Sequence, residues 1–341
     1  AVLPLVGQGS SYRQLEGISA IGPRLTLPSG GFSNQSAGGL AQDLKAGLLG
    51  NTWKQWQSLR QWSHQGGRIL AVGDLLPLAM AWASGLPYGF IGTPKSDYTW
   101  SSGPGSAWPA DTYHRCKGSE WDPWEWILMR SKRCQWVAMR DQLTARGLRR
   151  HRVAAKAPGN PMMDGLQRET IPKALERCRR VLVLCGSRMP EAQANFDRLL
   201  NAISLVQSPV PMGVLVAAGA EPTVEGFQRS LEHQGFRRSL PPSDQLSAES
   251  CWVKGPCMLL IGRRCFDTWS GWAEVGLATA GTATEQLVGI GIPALSLPGP
   301  GPQFKASFAR RQSRLLGGSV QPCSTPIALA SALERLLADA D

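Results

Sequence analysis

The most informative segment of the sequence is Arg180-Val181-Leu182-Val183-Leu184-Cys185-Gly186-Ser187-Arg188. Its apolar part predicts a buried strand, the small residues predict a turn, and a helix is expected from about Pro190. A glycine there lets the backbone come close to a ligand, and the helix start offers unpaired N–H groups and a positive dipole end. Diphosphate fits such a place, and Arg188 would add a charge-assisted contact. The alternative is that the small residues only turn the chain, as in many α/β proteins.

A second segment repeats this arrangement in Leu277-Ala278-Thr279-Ala280-Gly281-Thr282-Ala283-Thr284-Glu285-Gln286. Here too a predicted strand runs into small residues, and the following helix start is rich in Thr hydroxyls. Ligands of open parallel sheets bind outside the carboxyl ends of the strands, where both turns would lie. Two such turns in one domain favour a nucleotide site.

Short β-type runs alternate with amphipathic stretches along the whole chain, which predicts α/β domains with parallel sheets and crossover helices. Strands are expected at 2–6, 68–72, 88–92, 136–139 and 152–156, and then at 181–184, 212–217, 258–261, 275–278 and 294–297. Helices are expected at 40–62 with an interruption near Gly50, at 190–205, 224–234, 282–289, 304–316 and 326–338. The segment 94–126 is expected to be a long loop with a short helix at its end.

The length of 341 residues favours two domains. Because Ala157-Pro158-Gly159-Asn160-Pro161 breaks regular structure before a fresh α/β series, we expect domains at 1–157 and 158–325, followed by a C-terminal helix within 326–341. The chain begins with Ala1 and runs at once into an apolar stretch and Gly7-Gln8-Gly9, so truncation of an N-terminal segment is also expected.

Basic residues exceed acidic residues by 36 to 25, giving a net charge of +11. A positive potential suits phosphate-bearing ligands or an anionic membrane surface, although a merely soluble basic surface explains any one cluster equally well. No RNA-binding or zinc-finger motif is present, so we expect no nucleic-acid partner. Three tryptophans lie within six residues, Trp121, Trp124 and Trp126. Contact with a membrane interface would explain them, but core packing is the favoured interpretation.

Eight cysteines lie without a C-x-x-C pair or a His at metal-ligand spacing, so reduced core thiols and no metal site are expected. No stretch approaches the roughly twenty apolar residues of a membrane span. The expected location is the cytoplasm, with peripheral binding to the inner face of the membrane as an extension of that hypothesis.

Several of these segments together resemble a known family, the lipid-A-disaccharide synthases, and most closely the group described as lipid-A-disaccharide synthase-related proteins. The resemblance covers most of the chain and is carried by 182–188 with Glu191, by 159–164 and 280–284, and by the less specific 28–32 and 140–145. It implies a GT-B fold, in which two Rossmann-like parallel-sheet domains face a central cleft. It also implies a UDP-sugar donor, inversion at the anomeric carbon, no obligatory metal or other cofactor, and a lipid or lipid-linked acceptor.

The resemblance also implies roles for individual residues. Gly186, Ser187 and Arg188 would line the donor site, and Gly281, Thr282 and Ala283 would hold the diphosphate, with Thr284 in the same turn. The position of the ribose-binding glutamate falls on Gln286, with Glu285 one residue earlier. One residue rotates a helical side chain by about 100 degrees, so one of the two is expected to face the ribose. Gln303 is similar in place to a glutamine that reads sugar hydroxyls in the related peptidoglycan N-acetylglucosaminyltransferase.

Two further departures from the family concern catalysis. The usual His of a Gly-His-Pro motif is Asn160 here, and the family's first strand and Gly-rich acceptor-side loop have no counterpart after Ala1. An inverting transfer needs a base for the acceptor hydroxyl, and Asp74, at the end of the predicted strand 68–72, is the leading candidate. A helix N-cap is an equally good explanation of Asp74. Asp97 and Asp141 are secondary candidates, the latter with a cap as its alternative.

Two other functions remain open at this stage. UDP-sugar 2-epimerases use the same two-domain fold, but they bring additional His and carboxylate groups to the sugar, and none of the four histidines here lies in a motif segment. A non-catalytic sugar-nucleotide-binding or lipid-binding protein is the third hypothesis, which the Asn160 and Gln286 departures keep open. The transferase is the preferred interpretation.

Overall fold

The computed structural model describes residues 1–5, 12, 16–25, 37–102, 109–299 and 304–338. The chain forms two compact units, one of residues 1–96 and 118–159 and the other of residues 97–117 and 160–341. The change of unit at Gly159/Asn160 lies two residues after the expected boundary at 157/158. The predicted motif segment 28–32, Gly7-Gln8-Gly9 and Gln303 lie outside the described residues.

The elements of the first 160 residues are, in chain order, α1 (Ala37–Lys45), α2 (Leu48–Ser63), β1 (Ile69–Gly73), α3 (Leu75–Ala83), β2 (Tyr88–Gly92), α4 (Tyr98–Ser101), α5 (Thr112–Lys117), α6 (Pro123–Met129), β3 (Cys134–Met139), α7 (Gln142–Arg150) and β4 (Ala155–Lys156).

The elements of the remaining chain are β5 (Arg179–Leu184), α8 (Glu191–Leu205), β6 (Met212–Ala218), α9 (Val224–His233), β7 (Arg237–Ser239), β8 (Ser250–Lys254), β9 (Cys257–Arg263), α10 (Phe266–Trp272), β10 (Val275–Ala278), α11 (Thr282–Gly289), β11 (Ala294–Ser296), α12 (Ala306–Leu315), β12 (Val320–Pro322) and α13 (Pro326–Ala338).

The first unit is built on a parallel sheet with the order β1-β2-β3-β4 among the described residues. Phe90, at the centre of β2, is fully buried and meets the ring of Trp121 edge-on at 5.5 Å. Trp126 is buried as well, whereas Trp124 is exposed. Core packing is therefore confirmed for two of the three clustered tryptophans, and only the third is available to a surface.

The second unit is built on a larger sheet with the order β12-β11-β10-β5-β6-β9-β8-β7. Its strands are parallel except at the β7–β8 and β8–β9 pairings, which are antiparallel. Successive residues of β5 enter two different apolar clusters, Val181 and Val183 on one face and Leu182 and Leu184 on the other. Burial on both faces explains why residues 181–184 of β5 are a continuous apolar run rather than an alternating one.

Some predicted elements differ from those observed. The helix expected over 40–62 breaks at Gly47, whose φ of +93° places it in the left-handed region that favours glycine, while Gly50 lies inside α2. The expected strand 152–156 is reduced to Ala155–Lys156, because Arg152 takes a φ of +59° and the Val153 N–H donates back to the Leu148 carbonyl at 3.2 Å. Val2 makes only an isolated bridge to Ala20.

The segment 97–117 belongs to the second unit although it lies within the first half of the sequence. Instead of one loop with a terminal helix, this stretch forms α4, a short 3-10 turn and α5 before α6 begins. Its α4 packs on α12, the Ser102 hydroxyl donates to the Arg314 carbonyl at 2.6 Å, and Asp111 forms a buried ion pair with the Arg314 guanidinium. Contacts across some 200 residues of sequence leave no local pattern, so this assignment could not be predicted.

All eight cysteines are free thiols, and five of them are buried. Within the described part of the chain, none of the helices is both long and apolar enough to cross a membrane. Among the same residues, no group of three or more His, Cys, Asp or Glu side chains is arranged to hold a metal ion.

Candidate functional site

The two predicted turns meet at the carboxyl ends of β5 and β10, which are neighbouring strands. The chain leaves β5 for β6 on one side of the sheet, whereas β10, β11 and β12 lie on the other side, so this is a topological switch point. The Thr279 N–H donates to the Leu184 carbonyl at 2.9 Å and its hydroxyl approaches the same oxygen at 3.3 Å. These bonds fix one turn against the other.

The first turn runs from Cys185 to Pro190. Gly186 takes a φ of +88°, which a side chain would disfavour, and Ser187 and Arg188 after it are exposed. Cys185 is buried, and burial raises the pKa of its thiol to about 12, so it is a packing group rather than a nucleophile. The loop after β6 lies close by, because a Cβ on Gly219 would be 2.7 Å from that of Ser187.

The second turn leads into α11, whose N-cap is Gly281 and which has no side-chain cap hydrogen bond. Thr282 is exposed, and Gly281 and Ala283 are half-buried. Thr284 is buried and donates its hydroxyl proton to the Ala280 carbonyl at 2.7 Å, so a contact from it to a ligand would come through its backbone. The amides at this helix start are the groups of the turn best suited to an anion.

Glu285 and Gln286 occupy different faces of α11. Gln286 Nε2 donates to the Met162 carbonyl at 2.7 Å, and Asn160 Oδ1 accepts from the Met162 N–H at 3.2 Å. Asn160 and Gln286, the two departures from the family that the sequence resembles, therefore both bond to the backbone of Met162, one at its N–H and the other at its carbonyl. This contact joins the segment 160–163 to α11.

Several residues that the sequence analysis did not single out hold the carbonyls around these turns. Gln312 donates to the Ala280 and Gly281 carbonyls at 3.3 and 3.1 Å, and Asn195 donates to the Cys185 carbonyl at 3.3 Å. Arg198 donates to the Leu297 and Pro298 carbonyls, which places it at the exit of β11. Asn195 interrupts the buried face of α8 between Ala192 and Phe196, and a polar residue at an apolar helical position is the one signal that could have marked it.

Asp74 lies at the carboxyl end of β1 and is the N-cap of α3, where its Oδ1 accepts from the Leu76 N–H at 3.4 Å. The expected cap is thus present. Asp141 accepts from the Thr144 N–H, the Thr144 hydroxyl and the Ser96 hydroxyl at 2.7 to 2.8 Å. Asp97 accepts from the Trp100 indole at 3.4 Å and belongs to the second unit. The cap interpretation fits Asp141 better than a catalytic one.

The sheet topology defines a class, that of GT-B-type α/β proteins with two Rossmann-like domains. Comparison with solved structures agrees: 93% of the chain superimposes on 74% of a proposed UDP-N-acetylglucosamine 2-epimerase from Listeria monocytogenes, with a TM-score of 0.51 and 11% identity. It is also similar to Os79 from O. sativa in complex with UDP, over 93% of this chain and 80% of that one, with a TM-score of 0.50 and 13% identity. Such identities show the fold alone, and the predicted fold class is confirmed. No protein-family model and no curated protein matches the chain.

Proposed function

We propose that this chain is an inverting glycosyltransferase that moves a hexosamine-type sugar from a UDP-sugar to a lipid or lipid-linked acceptor. The observation that carries the proposal is the pair of turns after β5 and β10, which meet at the switch point of the larger sheet. The family resemblance supports it, and so does the likeness in fold to Os79, whose structure contains UDP.

In this proposal the diphosphate lies against the amides of Gly281, Thr282 and Ala283, where the dipole of α11 favours negative charge. Gly186 and Ser187 line the donor, and Arg188 contributes a charge-assisted contact. We assign the ribose to Glu285 because its carboxylate can accept hydrogen bonds from ribose hydroxyls. The Gln286 amide donates to the Met162 carbonyl. Gln303 keeps its proposed role with the sugar hydroxyls.

The proposed reaction is a single displacement. The acceptor oxygen bonds to the anomeric carbon as the bond from that carbon to the diphosphate oxygen breaks, and the proton of the acceptor hydroxyl passes to Asp74. The leaving UDP carries the additional negative charge, which amides and a guanidinium stabilise more strongly than they stabilise the bound donor.

One observation favours a second candidate, a UDP-sugar 2-epimerase, because the chain shares its fold with a proposed enzyme of that kind. The positions of the histidines argue against it. His64 and His151 lie at the carboxyl ends of α2 and α7, His114 lies in α5, and His233 lies in the last turn of α9. None is part of the turns after β5 and β10.

Binding of the UDP part of the donor can be tested by thermal unfolding. UDP at millimolar concentration should raise the melting temperature, because a ligand that binds only the folded chain shifts unfolding by mass action. ADP at the same concentration is the matched control. If ADP and not UDP stabilised the chain, a UDP-sugar would be rejected as the donor.

Labelled UDP-sugars incubated with the chain and a bacterial lipid extract distinguish the functions. Transfer of label to lipid supports the transferase, and an epimerised nucleotide sugar without transfer supports the epimerase. Retention of unaltered nucleotide alone supports a non-catalytic binding protein.

A further inference from the structure

Helix α12 carries a buried amide side chain directed at the second turn. Gln312 is only 3% exposed, and its Nε2 donates to the carbonyls of both Ala280 and Gly281, at 3.3 and 3.1 Å. Its side-chain position is therefore set by the turn and by the packing of α12, and it has no role in the proposed chemistry so far.

The geometry of the peptide bond gives these two contacts a consequence for the amides. In a planar trans peptide, the carbonyl of one residue and the N–H of the next point in opposite directions. A donor that fixes the Ala280 carbonyl thus orients the Gly281 N–H, and one that fixes the Gly281 carbonyl orients the Thr282 N–H. Both are amides to which we assign the diphosphate.

We infer that Gln312 is a positioning residue that aims the amides of Gly281 and Thr282 at the diphosphate, an inference that rests on the proposed function. The two carbonyls have other donors as well: Ala280 accepts from the Thr284 hydroxyl at 2.7 Å, and Gly281 accepts from the Glu285 N–H at 3.3 Å. Loss of Gln312 therefore leaves neither carbonyl without a hydrogen bond. Its effect should fall on the orientation of the turn rather than on folding.

The segment 97–117 holds α12 from the side. The Ser102 hydroxyl donates to the Arg314 carbonyl at 2.6 Å, and the buried Arg314 guanidinium pairs with Asp111. Because Gln312 and Arg314 are two residues apart on one helix, the segment that fixes Arg314 also restricts Gln312. By this inference, Ser102 and Asp111 support the second turn through α12.

The test is Gln312→Met, which keeps the length of the side chain and removes its donor. The Kd for UDP should rise about five- to tenfold, as expected for loss of the orienting hydrogen bonds. The Kd for uridine should stay unchanged, because uridine has no diphosphate. In the absence of nucleotide, hydrogen exchange at the amides of Gly281 and Thr282 should be faster in Gln312→Met than in the wild type.

Gln55→Met is the matched control. Gln55 is fully buried and donates through Nε2 to the Pro4 and Leu5 carbonyls at 3.0 and 3.2 Å, in the other unit. The Gln55→Met substitution should leave the affinity for UDP unchanged. Ser102→Ala is a milder second variant, expected to weaken UDP binding in the same direction, and it decides the matter if Gln312→Met does not fold.

Equal affinity for UDP and equal amide exchange in folded Gln312→Met and wild type would overturn the inference. A parallel loss of uridine binding would overturn it too, because it would indicate general loosening of the site. If the wild type binds no UDP, the proposed function fails, and the exchange of the two amides still decides whether Gln312 orients the turn.

Discussion

At the scale of single residues, Arg188 is an exposed cation within the first turn, four residues after the end of β5. If its guanidinium contacts the diphosphate, Arg188→Ala removes a charge-assisted bond worth roughly 1.5 to 3 kcal/mol. The Kd for UDP should then rise about tenfold or more, as measured by titration calorimetry. Arg229→Ala on α9 is the control, since it also removes one basic side chain from the second unit. Unchanged UDP affinity in Arg188→Ala would reject the phosphate contact.

Asp74 allows a different kind of test, because Asn keeps the capping ability of Asp but not its basicity. If Asp74 is the base, Asp74→Asn should lower turnover about a hundredfold or more while UDP affinity stays nearly intact. Asp141→Asn is the comparison: that carboxylate accepts from three groups, so its loss should lower the melting temperature instead. Near-normal turnover in Asp74→Asn would leave Asp74 as a cap alone.

Some residues of the candidate site could be predicted from the sequence, and others could be identified only from the structure. Gly186 and Gly281 could be placed from the sequence, because a glycine after an apolar run marks a turn at the carboxyl end of a strand. The partner of Gln286 could not, since the Met162 carbonyl is 124 residues away and hydrogen bonds to backbone carry no residue-type signal. For the same reason nothing in the sequence marked Gln312, which is one of several polar residues in the predicted helix 304–316.

At the scale of elements, prediction succeeded where hydrophobic burial dominates. The central strands β5, β6, β9 and β10 each contain a continuous apolar run, and the observed bounds agree with the expected ones within a few residues. The edge strand β7 was missed because all three of its residues, Arg237, Arg238 and Ser239, are exposed and polar. Such residues protect a sheet edge from further pairing, and they give no pattern that distinguishes a strand from a loop.

The break between α1 and α2 falls at one of two nearby glycines. Gly47 and Gly50 both interrupt the apolar periodicity, but only Gly47 takes a left-handed conformation. Gly50 remains helical at the modest cost that glycine has inside a helix. Propensity alone ranks the two positions equally, so the sequence does not show which glycine ends the helix.

At the scale of the whole molecule, we predict contact with an anionic membrane surface from two features, the net charge of +11 and a group of exposed apolar side chains. Trp82 on α3 and Trp124 and Ile127 on α6 are 43, 51 and 61% exposed, and these two helices pack on each other. The Arg133 guanidinium lies 5.6 Å from the ring of Trp82, and Arg130 and Lys132 beside it are exposed. Indole rings flanked by cations suit the headgroup region of an anionic bilayer, where a lipid acceptor would be found.

The last prediction is that the chain binds vesicles containing phosphatidylglycerol and that salt releases it. The attraction between surface charges is screened within about 10 Å at 0.1 M salt, so binding should weaken steeply as salt rises. Ile127→Ser should reduce the bound fraction several-fold, since each buried apolar side chain contributes about 1.5 to 3 kcal/mol. Ile327→Ser on α13 is the matched control, because Ile327 is 69% exposed but lies in the other unit. Sedimentation with phosphatidylcholine vesicles provides the neutral reference. Equal recovery in the supernatant with and without anionic lipid would show that the basic surface serves another purpose, and equal losses in both Ile variants would show that α6 is not the contact face.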